Sequence, residues 1–374
     1  MGGLGRCKVC GERSPLISDG VGVCLNCIRG RSEEALRVAG EAHARSREAF
    51  GLPPEPPRSE GGVACGLCAN NCRIGEGEVG FCGLVFNVDG RLVRRGGTPE
   101  AGILEWYYDP LPTNCVAWWF CPGCTGAGYP KYAYTRGAEG GYSNLAVFYG
   151  SCSYDCLYCQ NWQHRRLASK LRPRVSAEAL AYRARRRDVS CICYFGGDPS
   201  TQMPHALKVS KLALDWAWGE GRILRICWES NGNMNRRLAL KAAELSLKSG
   251  GVVKFDLKAY DENLNKALCG VSNRATLENF KLIGEKFYDK RPEVPLLTAS
   301  TLLVPGYVDA DEVERIAEFI ASVNPEIPYT LLAFYPQYVM RDLPTTSRKQ
   351  AYECREAAKK HLNNVRIGNV HLLS

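Results

Sequence analysis

Gly150-Ser151-Cys152-Ser153-Tyr154-Asp155-Cys156-Leu157-Tyr158-Cys159-Gln160-Asn161-Trp162 decides how the rest of the chain is read. Its three cysteines, at C-x3-C-x2-C, can ligate three irons of a cubane cluster and leave the fourth iron open to bind and reduce a cofactor. Two plainer readings compete. One is a three-thiolate zinc site completed by a neighbour such as His164; the other is cysteines buried as small hydrophobes. Zinc pairs usually keep C-x2-C spacing and core thiols need no clustering, which favours the cluster.

Three strand-like apolar runs downstream end in small or charged residues. Cys191-Ile192-Cys193-Tyr194-Phe195 runs into Gly196-Gly197-Asp198-Pro199-Ser200, Ile223 to Trp228 into Glu229-Ser230-Asn231, and Gly251 to Phe255 into Asp256-Leu257-Lys258. Taken singly, each is as readily a turn, a helix cap or a solvated strand end. In this order behind the cysteine loop they resemble the radical S-adenosylmethionine (radical SAM) superfamily, and within it the activating enzymes of glycyl-radical enzymes such as pyruvate formate-lyase. Ser300 to Asp309 and Leu332 to Tyr338 resemble the closing strands of the same barrel, so the likeness covers roughly residues 145–345.

That resemblance implies a [4Fe-4S] cluster on Cys152, Cys156 and Cys159, with Tyr158 beside the last ligand. It implies S-adenosylmethionine held by Gly196, Gly197, Asp198 and Pro199, by Glu229, Ser230 and Asn231, and by Asp256 and Lys258. The glycines would bring the backbone close to the methionyl amino group, and Lys258 would pair with the cofactor carboxylate. Asp198 stands where the family usually has Glu, which favours its backbone over its carboxylate as the ligand. The implied chemistry is reductive cleavage to a 5'-deoxyadenosyl radical that abstracts a substrate hydrogen, with an electron donor and, by the activase likeness, a protein partner that acquires a glycyl radical. An RNA-modifying enzyme, an enzyme of a small metabolite and a catalytically silent metal-binding adaptor are the alternatives. No residue stands out as a catalytic acid, base or hydrogen donor.

Upstream the chain is rich in cysteine. Cys7-x2-Cys10 and Cys24-x2-Cys27 have the spacing of two knuckles that close a tetrahedral zinc site, a zinc-ribbon-like module over residues 1–31. Residues 32–60 read as a helix with Ser32 at its N-cap, stopped by Pro53-Pro54-Glu55-Pro56-Pro57 as a stiff spacer. Residues 61–144 form a second cysteine-rich region. In it Cys65, Cys68, Cys72 and Cys82 can close a site for zinc or an iron–sulfur cluster, in a stretch similar to the segment before the barrel in the radical SAM proteins of the AmmeMemoRadiSam system. A hairpin turning at Asp89-Gly90 follows. Cys115, Cys121 and Cys124 add a C-x5-C-x2-C group suited to an auxiliary cluster with an outside ligand. Cys191, Cys193, Cys227, Cys269 and Cys354 read mainly as core thiols, Cys269 being the one close enough to the Lys258 segment to be reactive.

From Leu145 onward apolar runs alternate with helical patterns at Ala177 to Arg186, His205 to Trp218, Met234 to Lys248, Thr276 to Tyr288 and Asp309 to Ser322. Such alternation predicts an α/β fold: a partial (β/α)6 TIM-type barrel over residues 145–345, its site at the carboxyl edge of the strands, followed by a C-terminal helix and tail over 346–374. The 19 cysteines fall mostly in metal-ligand spacings, which need a reducing compartment and predict oxygen sensitivity. No apolar run approaches the roughly 18–20 residues of a membrane span, and Met1 to Cys7 lacks the apolar core of a signal peptide. A cytoplasmic protein without a membrane role is expected. A net charge of +9 leaves RNA open as a partner, with the basic stretch from His164 through Arg187 as the surface to test.

Overall fold

A computed structural model describes residues 4–113 and 115–374; Met1 to Gly3, on which part of the signal-peptide reading rests, lie outside the described residues. Seven strands run parallel and lie side by side in chain order: Ser143–Tyr149, Val189–Gly196, Arg225–Ser230, Val253–Asp256, Leu297–Leu303, Tyr329–Ala333 and Val365–Gly368. The first six are those expected of the barrel. The seventh lies in the stretch read as helix and tail. It is only four residues long, carries Arg366, and needs one partner only because it forms an edge. At the other edge Ala101–Pro110 runs antiparallel to Ser143–Tyr149, with Leu104 opposite Tyr149 and Pro110 opposite Ser143. Arg174–Ser176 closes that side. Alternate residues from five of these strands line one cavity, so the sheet is curled into a partial barrel.

Local chemistry explains the helices that cover it. Ser176, Asp261, Asp309 and Ser347 each accept a hydrogen bond from a backbone N–H in the first turn of the helix they precede. In Ala310–Val323 the residues Val313, Ile316, Ala317 and Ile320 recur at helical spacing and are buried, the stripe that packs on the sheet. The expected hairpin pairs Val85–Val88 with Arg91–Arg94, and Asp89 and Gly90 both take positive φ, as a two-residue turn of the right twist requires. Helix Ser32–Glu48 departs from expectation at its start: Arg31, not Ser32, occupies the N-cap, because helix Leu25–Gly30 runs up to it and the chain kinks at Arg31.

The proline run is not a free spacer. Arg47 donates from its guanidinium to the Pro53 and Phe81 carbonyls, and the Arg73 N–H donates to the Pro57 carbonyl at 2.8 Å. Among the described residues no helix is long and apolar enough to cross a membrane.

Candidate active site and metal centres

Each parallel strand delivers its last residues to one rim, and there the separately read motifs meet. One cavity is walled by Cys152, Cys156 and Cys159, by Tyr158, Gly196, Gly197 and Asp198, by Glu229, Ser230 and Asn231, and by Asp256 and Lys258. Pro199 does not face it; buried at the start of the turn Pro199–Thr201, it shapes the strand exit.

The glycines serve the loop as much as any ligand. A Cβ on Gly197 would lie 1.9 Å from the Ser151 carbonyl oxygen, and Gly196 has φ of 104°. The Gly197 N–H donates to the Tyr149 carbonyl and the Asp198 N–H to that of Ser151, so this turn clamps the base of the cysteine loop. Asp198 is engaged within the protein. Its carboxylate accepts from the N–H groups of Ser200 and Asn231 at 2.7 and 2.6 Å and from the Ser230 hydroxyl at 3.0 Å. The carboxylate therefore ties two strand ends together instead of presenting a free acceptor, and burial pushes its pKa up.

The pocket offers both signs of charge. Lys258 is half-buried and donates to Asp256, which Ser300 also approaches; the Asp256 charge holds the ammonium protonated against the opposing effect of burial. Glu229 pairs with Lys254 at 3.3 Å. Phe195, Leu302 and Leu332 supply apolar wall.

His164 bears on the choice between cluster and zinc. Its Nε2 receives a hydrogen bond from Arg165 at 3.1 Å, and since arginine only donates, Nε2 is the unprotonated nitrogen and Nδ1 carries the proton. Burial, then the Arg165 charge, hold this imidazole neutral. With its lone pair taken by a cation, His164 is no fourth zinc ligand; its Nδ1–H is buried without a protein partner on a residue that lines the cavity. Nor do the three loop thiols converge as ligands of one ion do. Among the described residues only Cys7, Cys10, Cys24 and Cys27 bring their ligand atoms within 4.8 Å of one another. Three dispersed thiols, an unpaired N–H donor and a pocket of both charges fit a cluster with a zwitterionic cofactor.

What positions the loop was not visible in the motifs. Asp155, between two of the cysteines, is fully buried and receives Arg165 at 2.6 and 3.0 Å, His43 at 3.0 Å and Ser46 at 3.4 Å, with Arg47 at 3.6 Å. Helix Ser32–Glu48 thus docks on the cysteine loop. Trp162 stacks on Tyr338, and Arg165 lies over the same ring. The second cysteine module contributes too: Asn70 donates to the Ser153 carbonyl at 2.7 Å and accepts from Asn233, while Ser151 donates to the Cys82 carbonyl. Cys269 lies 3.4 Å from Cys156 and 3.5 Å from the Tyr158 hydroxyl, which places the thiol noted from sequence beside a cysteine of the loop.

The other cysteine groups differ in kind. Cys10 and Cys24 are 3.8 Å apart, matching the roughly 3.8 Å between sulfurs of a tetrahedral thiolate site with metal–sulfur bonds of about 2.3 Å. Cys65, Cys68, Cys72 and Cys82 surround one small void with Arg94, which donates to Cys65 at 3.2 Å. The amino-terminal module sits on the barrel: Tyr307 donates to the Val23 carbonyl at 2.8 Å, and a Cβ on Gly306 would strike the Leu16 carbonyl oxygen at 2.1 Å. We expect Cys7→Ala to raise proteolysis within residues 1–31 while the partner-free reaction at the loop survives; equal loss of that reaction in folded Cys7→Ala protein would show that the module is part of the catalytic unit.

The basic stretch is largely engaged inside the molecule. Arg185 pairs with Glu220 and Arg186 with Asp188, and Arg183 and Arg186 lie over Trp106 and Tyr108.

The strand ends of the barrel thus gather three thiols and a pocket of both charges on one rim. Residues 146–320 match the model of the Radical SAM superfamily. That stretch is a radical SAM domain. It is 31% identical over 113 residues to a Methanocaldococcus jannaschii protein provisionally named a glycyl-radical enzyme activating enzyme, covering 30% of this chain and 42% of that one. To the isethionate sulfite-lyase activating enzyme of Desulfovibrio desulfuricans it is 29% identical over 164 residues, 43% of this chain and 46% of that one. It thus spans less than half the length of these two relatives. An uncharacterized M. jannaschii protein matches over 313 residues at 25% identity, 82% of this chain and 81% of the other. Among solved structures, a domain of pyruvate-formate lyase-activating enzyme from Bacteroides vulgatus aligns at 19% identity over 47% of this chain and 98% of that one, with a TM-score of 0.37. Streptococcus suis SuiB bound to S-adenosylmethionine aligns at 14% identity over 61% and 51%, with a TM-score of 0.43.

Proposed function

We propose that this chain binds a [4Fe-4S] cluster through Cys152, Cys156 and Cys159 and S-adenosylmethionine in the adjoining cavity, and that it takes a hydrogen from a backbone glycine of a partner protein. The observation that carries the reading is the convergence of three thiols with residues from three successive strand ends on one cavity. When bound, the cluster and S-adenosylmethionine supply a one-electron reductive cleavage that generates a 5'-deoxyadenosyl radical for hydrogen abstraction.

The chain's own residues bind, orient and exclude water. Lys258, fixed by Asp256, offers its ammonium to a carboxylate, and Glu229 on the same cavity offers a carboxylate to a cationic amino group. Phe195, Leu302 and Leu332 keep the reacting end dry. Zinc is the proposed ion of the amino-terminal module, whose thiols have the spacing for it. A protein substrate is favoured over RNA because relatives are named activating enzymes and because Arg185 and Arg186 already have intramolecular acidic partners.

The test uses a glycyl-radical enzyme from the same source, labelled with α-deuterated glycine. Deuterium is expected in the 5'-deoxyadenosine formed. Continued cleavage with no deuterium transfer from any such partner would remove the glycine substrate while leaving the radical chemistry.

A further inference from the structure

A second cavity lies within the barrel on the amino-terminal side of the cofactor pocket and shares Phe195 and Glu229 with it. The segment between strands Ala101–Pro110 and Ser143–Tyr149 closes it and brings Cys115 and Cys121 to its wall. Cys191, Cys193 and Cys227 come from alternate, inward-facing positions of two barrel strands. Scattered core thiols would have aliphatic neighbours, but here Cys124 and Cys191 pack together with Cys121 and Leu111 in a small cluster apart from the main core.

Donors reach the thiols on this wall. The short helix Pro122–Thr125 seats Cys121 and Cys124 on one turn, with Gly126 at φ of 77° ending it. The Ala117 N–H donates to the Cys115 sulfur at 3.4 Å. Lys254, 2% exposed, donates to Cys115 at 3.0 Å and to Cys193 at 3.1 Å. A buried ammonium carries a desolvation penalty of several kcal/mol unless negative charge compensates it, and among the described residues Glu229 is the one carboxylate paired with it.

We propose that Cys115, Cys121, Cys124 and Cys191 hold a second iron–sulfur cluster at the floor of the barrel, one wall below the cofactor pocket. The fourth ligand is a strand cysteine that spacing alone assigns to the core. No three of these sulfurs lie within 4.8 Å of one another, which disfavours a single ion and suits ligands spread over several irons. Four thiolates leave no iron open, so the site does not take substrate.

The inference is independent of the proposed reaction, and its test removes the radical cluster's ligands first. The parent is the full chain with Cys152→Ala, Cys156→Ala and Cys159→Ala, reconstituted anaerobically with ferrous iron and sulfide. Adding Cys121→Ser and Cys191→Ser is expected to lower bound iron by about four per chain and to remove a dithionite-reducible electron paramagnetic resonance signal. Cys193→Ser is expected to keep both. Equal iron and an unchanged signal in the Cys121/Cys191 variant would overturn the proposal. The single near-isosteric Cys191→Ser change guards against misfolding: it is expected to alter the signal, and an unaltered signal would exclude Cys191 as a ligand.

Discussion

Cys156→Ala is expected to abolish 5'-deoxyadenosine formation and to lose the iron of the loop. Cys156 is buried beside Asp155, and removing one of three thiolates leaves the cluster two protein ligands. Its neighbour Cys269, at 3.4 Å, makes the outcome discriminating. Cys269→Ala is expected to keep both iron and product, because its thiol touches a ligand and a tyrosine hydroxyl but does not line the cavity. If Cys269→Ala emptied the loop as Cys156→Ala does, the ligand set would have to be redrawn. The check is iron per chain, product per hour and circular dichroism on the same samples.

The second large effect is structural. Asp155→Ala is expected to destabilise the chain by about 3–5 kcal/mol, the penalty for leaving buried charges without their partner. Arg165 is 0% and Arg47 2% exposed, and among the described residues no other carboxylate reaches either. Asp155→Asn keeps the shape and some hydrogen bonds but not the charge, and is expected to lie between. Burial opposes ionisation of Asp155, but the charge of Arg165 and the bond from His43 win and hold the carboxyl far below its ordinary range. A depressed folded pKa contributes fully above the unfolded value near 4 and is lost only as pH falls toward the folded one, so the wild-type advantage should persist at pH 5. Chemical denaturation at pH 5 and 7 measures it. A difference below about 1 kcal/mol would mean that the charges rearrange to water, and the helix Ser32–Glu48 would lose its assigned part in holding the loop.

Legibility followed the range of the interaction. The cysteine loop, the turn at Gly196-Gly197 and the strand exits at Glu229 and Asp256 are local patterns set by strand alternation, so they could be read before any tertiary contact was known. His43 and Arg47 could not, because their partner Asp155 lies over a hundred residues away and nothing in a helix pattern marks which face meets a buried acid. Asp155 itself left a trace as an acid between two cysteines, ten residues before Arg165. Cys191 and Cys193 look like core thiols because a strand in a curled sheet has an apolar outer face and a lumen face at the same two-residue period, and only the fold tells them apart. The arginines near Arg186 read as a free basic surface because their partners Trp106, Tyr108 and Glu220 come from other elements.

The most direct test of the central claim is 5'-deoxyadenosine formation by the full chain, reconstituted anaerobically with iron and sulfide and then given dithionite and S-adenosylmethionine. The account predicts product that depends on reductant and vanishes in Cys156→Ala. Protein with a fully loaded loop cluster that neither binds S-adenosylmethionine nor forms product would contradict it.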